Sequence, residues 1–121
     1  MARQIVLYVR SEGCGHVRRT RRDLTEWNIP FREVNIDDNE AVAHRLEEWT
    51  GFRPVPTVVV ANEGSDLPHE EPAGLTPGQS PRNVDRGSII SEPNTANLAV
   101  FLEHNGFIPV DLYRMGSFLR G

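Results

Sequence analysis

The one cysteine of this chain is the residue best suited to covalent chemistry. Cys14 is the only cysteine among 121 residues, and it follows the short turn Ser11-Glu12-Gly13. A helical pattern begins at this point, which places the thiol at a helix N-terminus. Unpaired backbone N–H groups and the positive end of the helix dipole favour the thiolate there. Because the thiolate is the reactive form, the sequence predicts thiol chemistry at Cys14.

Basic side chains follow the cysteine closely. His16 lies two positions after it, and in its protonated form it would stabilise a thiolate. Arg18 and Arg19 are the arginines of the predicted helix that lie nearest the thiol. The alternative interpretations are an exposed first-turn histidine, a solvated arginine face and, for Cys14, a small buried hydrophobic residue. We treat Cys14 and His16 as candidate catalytic residues and Arg18 as a candidate binding residue.

The composition argues against several classes of function. The net charge of -4 does not fit a general binder of nucleic acid or anionic membranes. A membrane-spanning helix needs about 20 apolar residues, and no apolar run in this sequence approaches that length. The first strand pattern begins so soon after Met1 that we expect no signal peptide. One cysteine cannot form an internal disulfide and suits a reducing compartment, so we expect a cytoplasmic protein.

The first half of the chain alternates strand and helix patterns. Three short apolar or alternating runs predict strands: residues 4–10, 31–36 and 56–61. The first helix is predicted to end before Pro30, because the residue before a proline is disfavoured in helical conformation. Asp37 or Asp38 is predicted to cap the second helix, and Gly51 to end it. The predicted inward positions of the two helices are Val17, Thr20, Leu24, Trp27, Val42, Leu46 and Trp49.

The composition changes after the third predicted strand. Residues 62–86 contain four prolines and three glycines and few large apolar residues, which predicts a long irregular loop. Residues 87–91 predict a short strand. Pro93-Asn94-Thr95 predicts the start of a last helix, which Gly106 ends. Residues 107–121 form an extension beyond it.

A β-α-β-α-β-β-α order with a cysteine at the first helix N-terminus resembles the thioredoxin fold and, more closely, the glutaredoxin family. Residues 14–19, Cys-Gly-His-Val-Arg-Arg, look like the C-x-x-[C/S]-x-x active-site helix of that family. Residues 31–51 look like its second strand and acidic-capped second helix. Residues 53–58, Arg-Pro-Val-Pro-Thr-Val, look like the stretch around its cis-proline. The resemblance covers residues 4–61, and 87–106 in outline.

The resemblance implies an α/β architecture with a four-stranded mixed sheet flanked by helices. Residues 1–106 would form one glutaredoxin-like domain, interrupted by the long irregular insertion 62–86. Residues 107–121 would be a C-terminal extension. We take this arrangement as the expected fold and domain organisation.

The resemblance also implies roles around a cis-proline. Val55-Pro56 would be a cis peptide, and the backbone of Val55 would pair with a bound peptide or glutathione as an added strand would. Arg53 would bind a substrate carboxylate through a bidentate contact, the alternative being a solvated loop charge. We therefore expect Arg53, Val55 and Pro56 to bind substrate.

The chain order places two further features relative to Cys14. The third strand starts near the thiol and runs away from it, so the 62–86 loop is expected at the remote end and outside the chemistry. The last helix begins near the active end. Asn94 and Thr95 would therefore offer N–H groups and a side chain to an anionic ligand.

Two departures from the family pattern bear on mechanism. Val17 stands where a dithiol active site has its second cysteine, so the resemblance implies a monothiol protein. Ser91-Glu92-Pro93-Asn94 replaces a glycine pair that in the family holds part of glutathione. This leaves the small thiol open between glutathione and another low-molecular-weight thiol. Cys14-Gly15 is also similar to the start of the C-G-F-S signature of monothiol glutaredoxins that bind iron–sulfur clusters, although Phe and Ser are absent.

Three functions remain open on the sequence. The first is a monothiol oxidoreductase in which Cys14 exchanges with mixed disulfides between proteins and a small thiol. The second is binding or delivery of a [2Fe-2S] cluster by a dimer whose subunits each supply Cys14, with two small thiols as the other ligands. The third is a non-catalytic adaptor that binds through its long loop and extension.

The expected partners follow from these functions. They are a small thiol and thiol-containing proteins, with no nucleotide, nucleic acid or membrane, and the chain would be a monomer or a weak homodimer. The other histidines lack metal-ligand spacing with Cys14, so no metal site made by protein residues alone is expected.

Overall fold

A computed structural model of the chain describes residues 2–12 and 14–108. The strands are β1 (Arg3–Val9), β2 (Phe31–Asn35), β3 (Thr57–Asn62) and β4 (Ile89–Ser91). The α-helices are α1 (Gly15–Glu26), α2 (Glu40–Thr50) and α3 (Thr95–His104), and a 3-10 turn spans Ile36–Asp38. The predicted element order is confirmed. Most of the predicted extension, residues 109–121, lies outside the described residues.

The four strands form one mixed sheet in the order β2-β1-β3-β4. β1 runs parallel to β2 and antiparallel to β3, and β3 runs antiparallel to β4. Tyr8, near the end of β1, pairs with Thr57 at the start of β3, and Thr57 pairs with Ser91 at the end of β4. This register brings the turn that carries Cys14 and the segments around Pro56 and Ser91 to the same end of the sheet.

Alternating side chains of the sheet enter two separate cores. One face of β1 contributes Ile5 and Leu7 to a core shared with α1 and α3, and the other face contributes Val6 and Tyr8 to a core shared with α2. This follows from the two-residue period of a strand, which sends successive side chains to opposite faces. The predicted inward positions of α1 and α2 are buried, except that Trp27 is half-buried against the first core. The inward side chains of α1 therefore pack against one face of the sheet.

The predicted cap of α2 was wrong. Its N-cap is Asn39, whose Oδ1 accepts a hydrogen bond from the Val42 N–H at 3.1 Å. Asp37 instead accepts from the Ser11 N–H at 2.9 Å and from Arg10 Nε at 3.1 Å. The hydrogen bond from Ser11 is the main cause that lowers the pKa of Asp37. Asp37 thus ties the turn before Cys14 to the start of α2, while Gly51, with φ 87, ends α2 as predicted.

Beyond Asn62, which ends β3, the 62–86 segment contains no helix and no named strand, as predicted, but it does not stay at the remote end. Its middle and its last residue pack on α2: Glu71 accepts from Trp49 Nε1 at 3.2 Å, and buried Arg86 donates from Nη1 to the Trp49 carbonyl oxygen at 2.7 Å. The stretch around Arg82 and Asn83 reaches the end of the sheet that bears Cys14. There Asn83 Oδ1 accepts from the Asn94 N–H at 2.8 Å. The expectation of a loop remote from the thiol is therefore wrong for this stretch.

Across the helices within the described ranges, none is long and apolar enough to cross a membrane.

Candidate active site

Cys14 is the N-cap residue of α1. Its backbone is extended, with φ -132 and ψ 161, and its side chain is exposed. The Val17 N–H donates to Cys14 Sγ over an N···S distance of 3.4 Å. A backbone N–H can donate such a hydrogen bond to a sulfur in this cap position. The structure thus gives the predicted thiol an open approach and a backbone donor.

His16 and Arg19 hold the first turn of α1 against the segment before α3. His16 Nε2 lies 2.9 Å from the Pro93 carbonyl oxygen, and Arg19 Nη2 donates to the same oxygen at 3.4 Å. Because a carbonyl oxygen can only accept, this contact requires a proton on His16 Nε2. The imidazole therefore has a positioning contact in the structure, and its action on the thiolate stays a prediction.

The peptide bond between Val55 and Pro56 is cis, as predicted. The Pro56 carbonyl oxygen accepts from the Glu92 N–H at 2.7 Å, and Thr57 Oγ1 lies 2.8 Å from Ser91 Oγ. These contacts hold the segment against the end of β4. Over residues 2–12 and 14–108, neither the N–H nor the carbonyl of Val55 has a hydrogen-bond partner. An extended ligand could therefore pair with this backbone.

Arg53 lies two residues before Val55, and two carboxylates of α2 lie close to its guanidinium. Its Nη2 lies 2.9 Å from Glu40 Oε1 and 3.6 Å from Glu47 Oε2. The hydrogen bond with Glu40 is the main cause that raises the pKa of Arg53 above its ordinary value. A substrate carboxylate would have to displace Glu40 and Glu47 from the Arg53 guanidinium. The predicted role of Arg53 in substrate binding therefore stays a prediction.

Asn94 and Thr95 both make internal contacts at the start of α3. Asn94 is the N-cap, and its Oδ1 accepts from the Asn97 N–H at 2.7 Å. Thr95 Oγ1 donates to Asp23 Oδ2 at 2.7 Å, and Asp23 is buried on α1. Their predicted contacts with an anionic ligand are untested. Asp23 was missed by sequence reasoning, although its position three residues after Thr20 places it on the inward face.

An ion pair that the sequence did not reveal lies beside the cis-proline. Arg82, from the 62–86 segment, has Nε 2.5 Å from Glu92 Oε2, and its guanidinium carbon lies 4.6 Å from the centre of the Phe52 ring. Glu92 has φ 47, a conformation that non-glycine residues rarely adopt. Arg82 therefore connects the segment before Pro56 with the segment before α3.

Arg18 remains open beside the thiol. Its side chain is exposed, and Nη2 lies 4.0 Å from the point where a Cβ on Gly15 would stand. In the part of the chain that the structure describes, the Arg18 guanidinium has no hydrogen bond and no ion pair. The same part contains no group of three or more His, Cys, Asp or Glu residues that could hold a metal ion.

The first half of the chain matches a known protein family. The family model described as Glutaredoxin matches residues 5–64, which include β1, the Cys14 turn, α1, β2, α2 and β3. Neither the curated proteins nor the solved structures include a significant match. Glutaredoxins generally use glutathione as co-substrate for thiol–disulfide exchange. With its mixed sheet, flanking helices and single cysteine, the chain belongs to the glutaredoxin-like proteins of the thioredoxin fold.

Proposed function

We propose that this protein is a monothiol oxidoreductase that acts on mixed disulfides between proteins and a small thiol. The observation that carries the proposal is the exposed Cys14 Sγ at the N-cap of α1, with the Val17 N–H directed at it. Reactive thiols need such an accessible position with donors nearby. The chain has no second cysteine, so the cycle must use an external thiol.

The reaction balances as two exchanges. The Cys14 thiolate attacks the small-thiol sulfur of a protein mixed disulfide, and the protein sulfur leaves as a thiolate that takes a proton from solvent. Cys14 then carries the small thiol as a disulfide. A second small thiolate attacks the sulfur of that adduct, which forms the small disulfide and releases the Cys14 thiolate. Overall, one protein mixed disulfide and one free small thiol become a free protein thiol and one small disulfide.

The small thiol would lie along the backbone of Val55. The free N–H and carbonyl of this residue can pair with a peptide-like ligand in the manner of an added strand. The β1–β3 register supports this assignment, because the end of β1, which precedes the Cys14 turn, pairs with the start of β3, which follows Val55. Glutathione has the peptide groups that such pairing uses, and other small thiols lack some of them. Glutathione is therefore the first co-substrate to test.

Mass spectrometry and turnover test the proposal together. We would expose the protein to oxidised glutathione and to other small disulfides, and measure reduction of a glutathione mixed disulfide by wild type and by Cys14→Ser. We expect one adduct on Cys14 and turnover that the variant lacks. No adduct and no turnover with any small thiol, while iodoacetamide still alkylates Cys14, would overturn the proposal.

The cluster-binding and adaptor alternatives stay predictions. An absorbance scan of anaerobically prepared protein tests the cluster-binding alternative.

A further inference from the structure

Of the four arginines of α1, two side chains have hydrogen-bond partners and two have none. Arg19 donates to the Pro93 carbonyl oxygen, and Arg21 makes two hydrogen bonds to Glu33, at 2.5 and 3.0 Å. Arg18 and Arg22 are exposed, and among residues 2–12 and 14–108 neither side chain has a hydrogen bond or an ion pair. The helix therefore presents two free guanidinium groups.

These two groups lie in line with the thiol. Residues four apart share a helix face, so Arg18 stands about 6 Å along the axis from the Cys14 cap and Arg22 about 6 Å further. Arg18 and Arg22, with Arg21, Thr25 and Glu26, line a shallow concavity of ≈ 280 Å³. The strip formed by Arg18 and Arg22 thus begins beside the sulfur and runs away from it.

Free arginines are unusual in this protein. Acidic residues outnumber basic ones, 17 to 13. Most arginines outside α1 have a carboxylate partner: Arg10 with Asp37, Arg32 with Asp66, Arg45 with Glu71, Arg53 with Glu40 and Arg82 with Glu92. In the described ranges the arginines with neither a carboxylate nor a carbonyl partner are Arg3, Arg18 and Arg22. Two of these three lie on the helix that begins at Cys14.

We propose that Arg18 and Arg22 dock an acidic segment of the protein substrate, next to the cysteine that carries the mixed disulfide. The inference rests on the proposed function, whose protein substrate it specifies. We choose an acidic segment because its carboxylates complement the two unpaired guanidinium groups. Alternate residues of an extended segment stand about 6.6 Å apart, which is close to the about 6 Å that separates Arg18 from Arg22 along the helix axis. Residues 109–121 of this chain carry one Asp and two Arg, so their charge does not complement the strip.

Paired peptides test the proposal. Each would carry one cysteine as a glutathione mixed disulfide, and two alternate positions beside it would be Glu in one peptide and Gln in the other. We expect wild type to prefer the Glu peptide in kcat/KM by roughly threefold to tenfold at low ionic strength. Salt at about 0.5 M should remove most of the preference, because it shortens the screening length to a few ångströms.

A matched variant isolates the strip. Arg22→Glu should abolish or reverse the preference. Arg3→Glu makes the same charge change at an exposed, unpaired arginine at the other end of β1 and should retain it. Equal preferences in the two variants, or equal rates of wild type with both peptides, would overturn the proposal. The measured quantity is the ratio of kcat/KM for the Glu peptide to that for the Gln peptide within one variant. A general loss of activity therefore cancels in this ratio.

A binding measurement separates this inference from the proposed function. Fluorescent Glu and Gln peptides without a disulfide would be titrated with the Cys14→Ser variant, with and without Arg22→Glu. Tighter binding of the Glu peptide that depends on Arg22 supports the strip even if no mixed disulfide is turned over. If wild type instead forms a dimer that Arg22→Glu dissociates, a second copy of the chain is the occupant and the peptide proposal fails.

Discussion

The Thr95 hydroxyl donates a 2.7 Å hydrogen bond to the carboxylate of Asp23, which is buried between α1 and α3. This contact joins the helix that begins at Cys14 to the helix that begins beside the cis-proline segment. A buried carboxylate needs such donors, because its desolvation is otherwise uncompensated. The pair therefore fixes the position of two walls of the candidate site.

Replacement of Thr95 by Val should destabilise the protein. The change keeps the shape of the side chain but removes the donor to Asp23, and hydrogen bonds to charged groups contribute about 1.5–3 kcal/mol. We expect a loss of this size in the free energy of unfolding, measured by urea denaturation. The control is Thr25→Val, because Thr25 is exposed and bonds only the Arg21 carbonyl within α1. Equal losses in the two variants would contradict the assigned role of the pair.

Asp37 should make the stability depend on acid pH. Its folded pKa is lowered chiefly by the Ser11 N–H, so the unfolded chain binds the proton more readily. The contribution of Asp37 is therefore present above the ordinary carboxyl pKa, and it is lost as pH falls through the folded pKa. We expect Asp37→Asn to flatten the decline of stability measured below about pH 4, where aspartate carboxyls ordinarily titrate.

The neighbouring carboxylate provides the control for this prediction. Asp38 is exposed and has no partner within residues 2–12 and 14–108. Asp38→Asn should keep the acid decline of wild type. If both variants flatten the curve equally, net charge explains the effect and the hydrogen bond from Ser11 does not.

Local chemistry explains what the sequence predicted well. A cap depends on the residues of one turn, so the thiol at the start of α1 and the left-handed Gly51 were both predictable. The cap of α2 was not, because Asp37, Asp38 and Asn39 are all good capping residues. The choice among them depends on Ser11, a residue distant in sequence that holds Asp37.

Contacts between distant segments explain what the sequence missed. Arg82 stands in a loop of irregular composition, and nothing local indicates that it meets Glu92 and Phe52. Similarly, the sequence shows four arginines on one helix but not which of them are already paired. Only the folded chain shows that Glu33 of the neighbouring strand takes Arg21 and leaves Arg18 free.

Arg82 should influence which small thiol is accepted. Glu92 donates its N–H to the carbonyl of Pro56, the residue after Val55. Glu92 therefore lies close to the proposed small-thiol site. Arg82→Gln would leave the Glu92 carboxylate uncompensated. We expect the ratio of kcat/KM for anionic glutathione to that for cationic cysteamine to fall by roughly twofold to fivefold, since exposed charge pairs contribute about 0.2–1 kcal/mol. Glu92→Gln should raise the same ratio.

An ion pair between α2 and the 62–86 segment is the matched control. Arg45 lies on α2 and pairs with Glu71, so Arg45→Gln breaks a comparable contact away from the thiol. It should leave the ratio at its wild-type value. A ratio that moves as much in Arg45→Gln as in Arg82→Gln would show that the effect comes from total charge.

Val17→Cys should convert the monothiol cycle into a dithiol one. Val17 stands one turn into α1, with its side chain 3% exposed and its N–H already directed at Cys14 Sγ. A thiol there could attack the Cys14 adduct from within the chain, release the small thiol and form an internal disulfide. Mass spectrometry of the glutathione-treated variant should show loss of the adduct and of two hydrogens. Val17→Ser, which places a hydroxyl at the same position, should keep the adduct. An adduct that persists equally in both variants would mean that the new thiol cannot reach the Cys14 sulfur.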